Sequence, residues 1–522
     1  MCFFPAMLPS CWPGFLALCC LAAPAGAASF RVGGVVFDDR NANGLRDAGE
    51  PGLAGVGVSD GVTVALTGDD GRYELTVEPA AAGAEATVFV IKPRHWRPPV
   101  DARNLPRFHR RAAAADGGID FPLTRREEPD AFRALVFADP QVDSLRQVDY
   151  LARSLVAGLE GARDFAFGVT LGDIVNDRPE LFGPVNEVMG RVGIPWYNIN
   201  GNHDLDPGAG DAGRASTRTF EATYGPATYA FHYGRALFVA LDNVRPQGGP
   251  RVIGGLREDQ FLFLENLLRA TPRDELVVLM MHIPWFYPDP SRSETFRSAD
   301  RARLFALLED RPHHLWLSGH THYQRHVFYG PADGWKGANP LHEYNVAAAG
   351  GSFWTGPLDA GGLPLATMWD GTPPGYAELT FDGVEVRADY RPARRPAESQ
   401  IGLHAPAVAR RGAGYVSFYA NVFNGHDGWT VEARAGGRDW RPLLRVLAWD
   451  PAYAQLFLAQ NETPAVPAEP RLPDPVICHH LWRGYLPADL PAGVHALEVR
   501  AIDPAGRTFT ATREVRVAEP EP

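Results

Sequence analysis

One arrangement restricts this chain more than any other: between residues 134 and 322, a short apolar run is followed almost at once by a short polar motif, five times over. Ala134-Leu-Val-Phe-Ala138 leads into Asp139-Pro-Gln141, and Phe165 to Leu171 leads into Gly172-Asp173. Trp196 to Asn200 leads into Gly201-Asn-His-Asp204, Leu276 to Met281 into His282, and Leu315 to Leu317 into Gly319-His-Thr-His322. Runs this short and continuously apolar predict strands of the buried type. With another strand at Ala236 to Leu241 and a helical segment around Val148 to Leu159, the alternation implies a layered α/β domain. Strand ends on one edge of a sheet share a crevice, so the five motifs are predicted to meet.

The residue types in those motifs carry the chemistry. Asp139 and Asp173, His282, His320 and His322, and the amides of Gln141 and Asn202 supply hard and borderline oxygen and nitrogen donors, which suit Mn, Fe, Zn or Mg. His320 and His322 are two apart, a spacing that serves metal binding on a strand or across a turn. Gly172, Gly201 and Gly319 each precede a proposed ligand, where the absence of Cβ lets the backbone turn sharply. The bland alternative, Asx turns and buried polar caps, would need seven metal-type side chains to fall in place by coincidence.

At 522 residues the chain exceeds one ordinary core, and its texture changes twice. Residues 28–124 show short alternating runs such as Val62 to Leu66 and Tyr73 to Val77, the pattern of a small β-sandwich. A polar linker, Arg125-Arg-Glu-Glu-Pro-Asp130, precedes the α/β domain at 130–350, and from 351 to 522 Pro- and Gly-punctuated strands predict a third, β-rich domain. Residues 1–27 carry no charge, contain the apolar run Phe15 to Ala23 and end in Ala25-Gly26-Ala27, which reads as a secretory signal and predicts a periplasmic or secreted protein. No later stretch is apolar enough for a transmembrane helix.

Four of the five cysteines lie in that leader, leaving Cys478 alone, so neither a disulfide framework nor a Cys-rich zinc site is available. The formal net charge of -12 disfavours non-specific nucleic-acid binding. Oligomeric state is not written in these features.

The ordered motifs resemble the calcineurin-like metallophosphoesterase family, whose pattern runs D-x-H, G-D-x-x-D, G-N-H-D/E, H, G-H-x-H. The resemblance covers Leu135 to His322. Val58-Ser-Asp-Gly61 with Asp70 to Leu75, and Asp370 to Tyr376 with Asn421-Val-Phe423 and His480-Leu-Trp482, resemble the N- and C-terminal β-domains of a secreted bacterial branch of that family. It implies a central four-layer α/β/β/α sandwich flanked by two β-rich domains. It also implies two divalent metal ions, one held by Asp139, Gln141, Asp173 and His322, the other by Asp173, Asn202, His282 and His320. The expected activity is phosphomonoester or phosphodiester hydrolysis by in-line attack of a metal-bridging hydroxide. His203 is expected to act as the proton donor to the leaving group, with Asp204 orienting its imidazole. Two departures stand out. Gln141 occupies a position where the family has His, and Asn176 occupies that of the second acid in G-D-x-x-D, with Asp177 one residue later. If Gln141 disables a metal position, the competing reading is a non-catalytic envelope binding protein.

A second metal-type pattern lies in the N-terminal region, where Asp39, Asn41, Asn43, Asp47 and Glu50, with Gly44 at the turn, have the spacing of a calcium loop. Two readings stay open at this level: a lone calcium site in a β-domain, or an Asx-rich turn without metal.

Overall fold

The computed structural model describes residues 29–78, 85–113, 118–208, 216–248, 251–285, 295–464 and 470–519; the apolar leader at 1–27 lies outside them. Strand Ala131–Phe137 shows why its sequence is apolar on both faces. Ala134 and Val136 enter a core shared with a second sheet, whereas Leu135 and Phe137 enter a core built with helices Leu145–Ser154 and Phe182–Met189. The strand pairs in parallel with Phe167–Thr170, and that strand with Trp196–Asn198.

The second sheet runs in the order Tyr229–Tyr233, Ala236–Ala240, Leu276–Met280, His314–Ser318, Leu341–Asn345, Arg325–Tyr329. Phe167 of the first sheet meets Phe231 of the second edge-on at 5.2 Å, closing the space between them. Helices Glu258–Ala270 and Ser298–Leu308 cover the outer face, burying Leu264, Leu267, Leu304 and Phe305. The result is an α/β/β/α sandwich in which the parallel strands deliver their C-terminal ends to one edge.

Helix Leu145–Ser154 starts four residues after Gln141 and holds that loop in place. Ser144 Oγ accepts from Gln147 N–H, and Gln147 Oε1 reaches back to accept from Asp143 N–H. Reciprocal caps of this kind stabilise a helix start by about 1 kcal/mol.

The domain boundary placed at 350 needs correction. Gly375–Asp382 pairs antiparallel with Ala131–Phe137, with Ala377 opposite Val136, and Glu385–Pro392 continues the same sheet. The catalytic sheet is therefore completed from the region assigned to the third domain. Antiparallel pairing across so many intervening residues leaves no local pattern, which is why the strand texture alone misplaces the hairpin.

The N-terminal region is a sandwich of two four-stranded sheets, one containing Phe30–Asp38 and Phe121–Arg125, the other Gly57–Ser59 and Ala86–Val90. The C-terminal region pairs a four-stranded sheet around Ser417–Val422 and Cys478–Tyr485 with a five-stranded sheet around Gly493–Ile502 and Thr508–Ala518. Among the described residues, no helix is long and apolar enough to cross a membrane.

Candidate metal centre

At the C-terminal ends of the strands the backbone does something unusual. Asp139, Gln141, Asp173, His320 and His322 all take positive φ, from 43° to 74°. Side chains other than glycine rarely adopt this region, and each such residue costs roughly 1–3 kcal/mol unless the surroundings enforce it. Local hydrogen bonds enforce it here: Asp139 N–H donates to Gly172 O at 3.2 Å and Gln141 N–H to Asp173 O at 2.8 Å, while His320 N–H donates to both carboxylate oxygens of Asp139 at 3.0 and 2.9 Å.

The expected sharp turns are thus made mainly by the ligand-type residues themselves. Among the three glycines only Gly172 has positive φ, at 91°; Gly201 and Gly319 answer a different need, close approach. A Cβ on Gly201 would lie 2.1 Å from Asp173 Oδ1, and one on Gly319 would lie 2.7 Å from Asp139 Oδ2.

These contacts bring six of the proposed ligands together. Asp173, His282 and His320 present one ligand atom each within 4.8 Å of one another, and no other such trio exists among the described residues. His282 Nε2 lies 3.2 Å from Asp173 Oδ2, 3.1 Å from Asn202 Oδ1 and 3.2 Å from His320 Nδ1. His322 Nε2 lies 3.8 Å from Asp139 Oδ1. The opposite ring nitrogens are tethered, His282 Nδ1 to Leu171 O at 2.8 Å and His322 Nδ1 to Gly351 O at 2.5 Å. Donation to a carbonyl fixes the tautomer, so in the neutral ring Nε2 carries the free lone pair, as a metal-ligating histidine requires. Phe353 stacks on His322 with ring centroids 4.2 Å apart and holds the imidazole plane.

The electrostatics test whether cations fit. His282 Nε2 faces Asp173 Oδ2 and Asn202 Oδ1, a place that attracts positive charge, whether a proton on Nε2 or a bound cation. Gln141 adds an Oε1 that is buried without a hydrogen-bond partner, and buried acceptors of that kind need an explanation. Burial opposes charge on His282, yet the Asp173 carboxylate beside it lifts the imidazole pKa to about 9. Burial pushes the Asp139 carboxyl up to about 8, and the neighbouring Asp173 charge adds to the rise. Burial likewise drives His322 down to about 4, favouring the neutral, ligating form. The donor set of carboxylate, imidazole and amide fits divalent ions of the hard to borderline class.

His203 joins the group through its backbone, donating N–H to Asp173 Oδ1 at 2.9 Å. Its imidazole does not pair with Asp204 as expected. Asp204 is fully buried, its Oδ1 accepting from Val175 N–H at 3.1 Å and its Oδ2 from Gly201 N–H at 2.8 Å, so it braces the loop. The partner is Asp177, whose Oδ1 lies 3.1 Å from His203 Nδ1. Neighbouring side chains in the single 3-10 turn Asn202–Asp204 diverge, whereas the loop after Thr170 brings Asp177 alongside. Burial works against a charge on His203, but Asp173 and Asp177 overcome it and raise the pKa. Sequence adjacency pointed to Asp204; the acid displaced by one position in Gly172 to Asp177 was the available signal for the true partner.

The Asp39–Glu50 loop sits apart, in the N-terminal sandwich, and closes on itself. Asp39 accepts from Asn43 and Gly44 N–H, Glu50 from Arg40 and Asp47 N–H, and Asp47 Oδ2 from the amides of Asn41 and Asn43, both at 2.8 Å. Its three carboxylates do not gather within 4.8 Å of one another. These hydrogen bonds are of the Asx-turn type.

Comparison with known proteins agrees with this architecture. Residues 132–324 match the calcineurin-like phosphoesterase family, 40–126 the N terminal of calcineurin-like phosphoesterase and 343–509 its C terminal. The chain belongs to the calcineurin-like phosphoesterase family, and it is a metal-dependent phosphoric ester hydrolase. Among solved structures, a purple acid phosphatase isolated from yellow lupin (Lupinus luteus) seeds is similar at 14% identity and a TM-score of 0.37, over 70% of this chain and 67% of that one. A search of the curated proteins gives no match.

Proposed function

We propose that this protein is an exported phosphoesterase with a dinuclear centre, acting on phosphomonoesters or phosphodiesters. The observation that carries the reading is the convergence of Asp173 Oδ2, Asn202 Oδ1 and His320 Nδ1 on His282 Nε2. Asp139, Gln141, Asp173 and His322 would hold one ion and Asp173, Asn202, His282 and His320 the other, with Asp173 common to both. Bound divalent ions supply Lewis acidity toward the phosphoryl oxygens and toward the attacking water.

The chain's own residues do the rest. Asp177 holds the Nδ1 side of His203, which keeps the ring in one orientation and favours its protonated form, leaving Nε2–H for the departing alkoxide oxygen. Asp204 keeps Gly201 and Val175 in register, so that His203 and Asn202 stay beside Asp173. Export rests on the uncharged, apolar character of residues 1–27. The mature chain's negative charge gives no support to a nucleic-acid role.

The test is turnover of aryl phosphate mono- and diesters by the full mature chain loaded with Mn²⁺, alongside metal analysis. Turnover that disappears in His203→Ala while metal content is retained supports the proposal. Two bound metals with no turnover of either ester class would favour the envelope binding protein instead.

A further inference from the structure

The metal centre leaves the opposite edge of the catalytic sheet unexplained. There, where strands Ala131–Phe137, Phe167–Thr170 and Trp196–Asn198 begin, a cavity of about 550 Å³ opens beneath the linker from the N-terminal domain. Its floor is aromatic, with Tyr197 stacked on Phe231 at 4.0 Å and Tyr233 against Phe132 at 4.5 Å.

Five cationic side chains line it: Lys92, Arg97, Arg126, Arg133 and Arg163. Two are already neutralised, Lys92 by Glu128 at 2.6 Å and Arg133 by Glu378 at 2.6 Å. The other three guanidiniums have no hydrogen-bond or ion-pair partner among the described residues. Burial, and then the like charge of Arg126, disfavour the Arg97 cation.

The backbone that carries these arginines is held in place. Arg97 is opposite Thr124 in the pairing of Trp96–Arg97 with Phe121–Arg125, and Arg126 N–H donates to His95 O at 2.8 Å. His95 N–H in turn donates to Glu128 Oε2 at 3.1 Å, and Lys92 Nζ to His232 O at 2.6 Å, so linker and catalytic domain form one cradle. Arg97, Arg126 and Arg163 thus line one cavity over an aromatic floor, beside the carboxylates of Glu127, Glu128 and Asp164, with no protein acceptor on their guanidiniums among the described residues.

We infer that Arg97 and Arg126, with Arg163 at the rim, form an oxyanion-binding site for a phosphate or carboxylate group, at the end of the sheet opposite the metal centre. Guanidinium forks match the planar or tetrahedral oxygens of such groups. The site is independent of the reading given to the metal centre, and an inactive metal centre would leave it intact.

Isothermal titration of the metal-loaded full chain with inorganic phosphate in one arm and benzoate in the other tests this, against Arg97→Gln/Arg126→Gln. The wild type is expected to bind one of the two anions at a site that the variant loses or binds about tenfold more weakly. Turnover of an aryl phosphate should stay within about twofold, since neither arginine touches the metal centre. Preference for phosphate or for benzoate identifies the class of ligand. Thermal unfolding at ionic strength matched with NaCl separates binding from relief of repulsion: the anion should raise the wild-type Tm more than the variant's. Should the double variant fail to fold, Arg126→Gln, on an exposed residue, gives the same comparison. Equal affinities and stoichiometries for both anions in wild type and variant would overturn the inference.

Discussion

Two groups of histidines lie close together in the chain, and only one of them belongs to the proposed metal centre. His320 and His322 face the centre with His282; His326, a few residues on, packs with His342 and His426, and His480 pairs with Asn421 and Asp370. In the second group the ring nitrogens have protein partners. His326 bonds His342 at 3.0 Å and Asn424 at 2.9 Å, and His480 bonds Asn421 at 2.7 Å and Asp370 at 2.9 Å. In the first group His282 and His322 each tether Nδ1 to a carbonyl, and their Nε2 atoms face the carboxylates of Asp173 and Asp139. Histidine abundance does not distinguish ligand from structural residue. The direction of the unfilled lone pair does.

The sharpest way to break the contrast is a paired substitution. Asp173→Asn removes the carboxylate shared by the proposed ions and should lower kcat/KM by at least about 10³-fold, with loss of bound metal. His342→Gln should leave kcat within about twofold, so equal losses in the two variants would erase the distinction drawn here. Next, His203→Ala should cost on the order of 10²–10⁴-fold in kcat, and least for esters whose leaving groups need no proton. A uniform loss across leaving groups would remove His203 from the role of acid. Asp177→Asn should lower kcat by about 10–100-fold, the usual effect of a residue that orients another, and shift the alkaline limb of the pH–rate profile to lower pH, since the carboxylate that raises the His203 pKa is gone.

Acid sharpens the comparison through stability. Burial holds His342 down to about 3 and His426 to about 4, against an unfolded value of about 6.5. A depressed histidine stays neutral in the fold while the unfolded chain takes up a proton, so its contribution is complete above pH ~6.5 and is lost as the pH falls toward those lower values. The wild-type Tm should therefore drop across that window, and His342→Gln should show a shallower drop. The smallest effect is expected from Gln141→His, which supplies an imidazole at the one amide-for-imidazole position. Metal should bind about tenfold more tightly, with modest change in rate, as seen by competition with a chelator.

Much of the centre is legible in the sequence because each ligand-type residue follows an apolar strand, and parallel strands must deliver their ends to one edge. What the sequence hides is direction. His203 and Asp204 are neighbours in the chain, yet Asp204 turns inward to two backbone N–H groups while Asp177, from another loop, takes the imidazole. Likewise the Asp39–Glu50 loop has calcium spacing, and the spacing alone does not reveal that its carboxylates accept from the loop's own amides and backbone. The Gly375–Pro392 hairpin is hidden for a different reason: its partner strand is set by three-dimensional register.

That hairpin bears on how the protein is made and cut. The edge of Ala131–Phe137 that Gly375–Asp382 covers emerges from the ribosome long before its cover does, and until then it offers a row of unpaired amides and carbonyls to any passing chain. A gene trimmed at residue 350 would make that transient hazard permanent, and would also discard Gly351, whose carbonyl steadies His322. A soluble expression fragment should extend through Pro392.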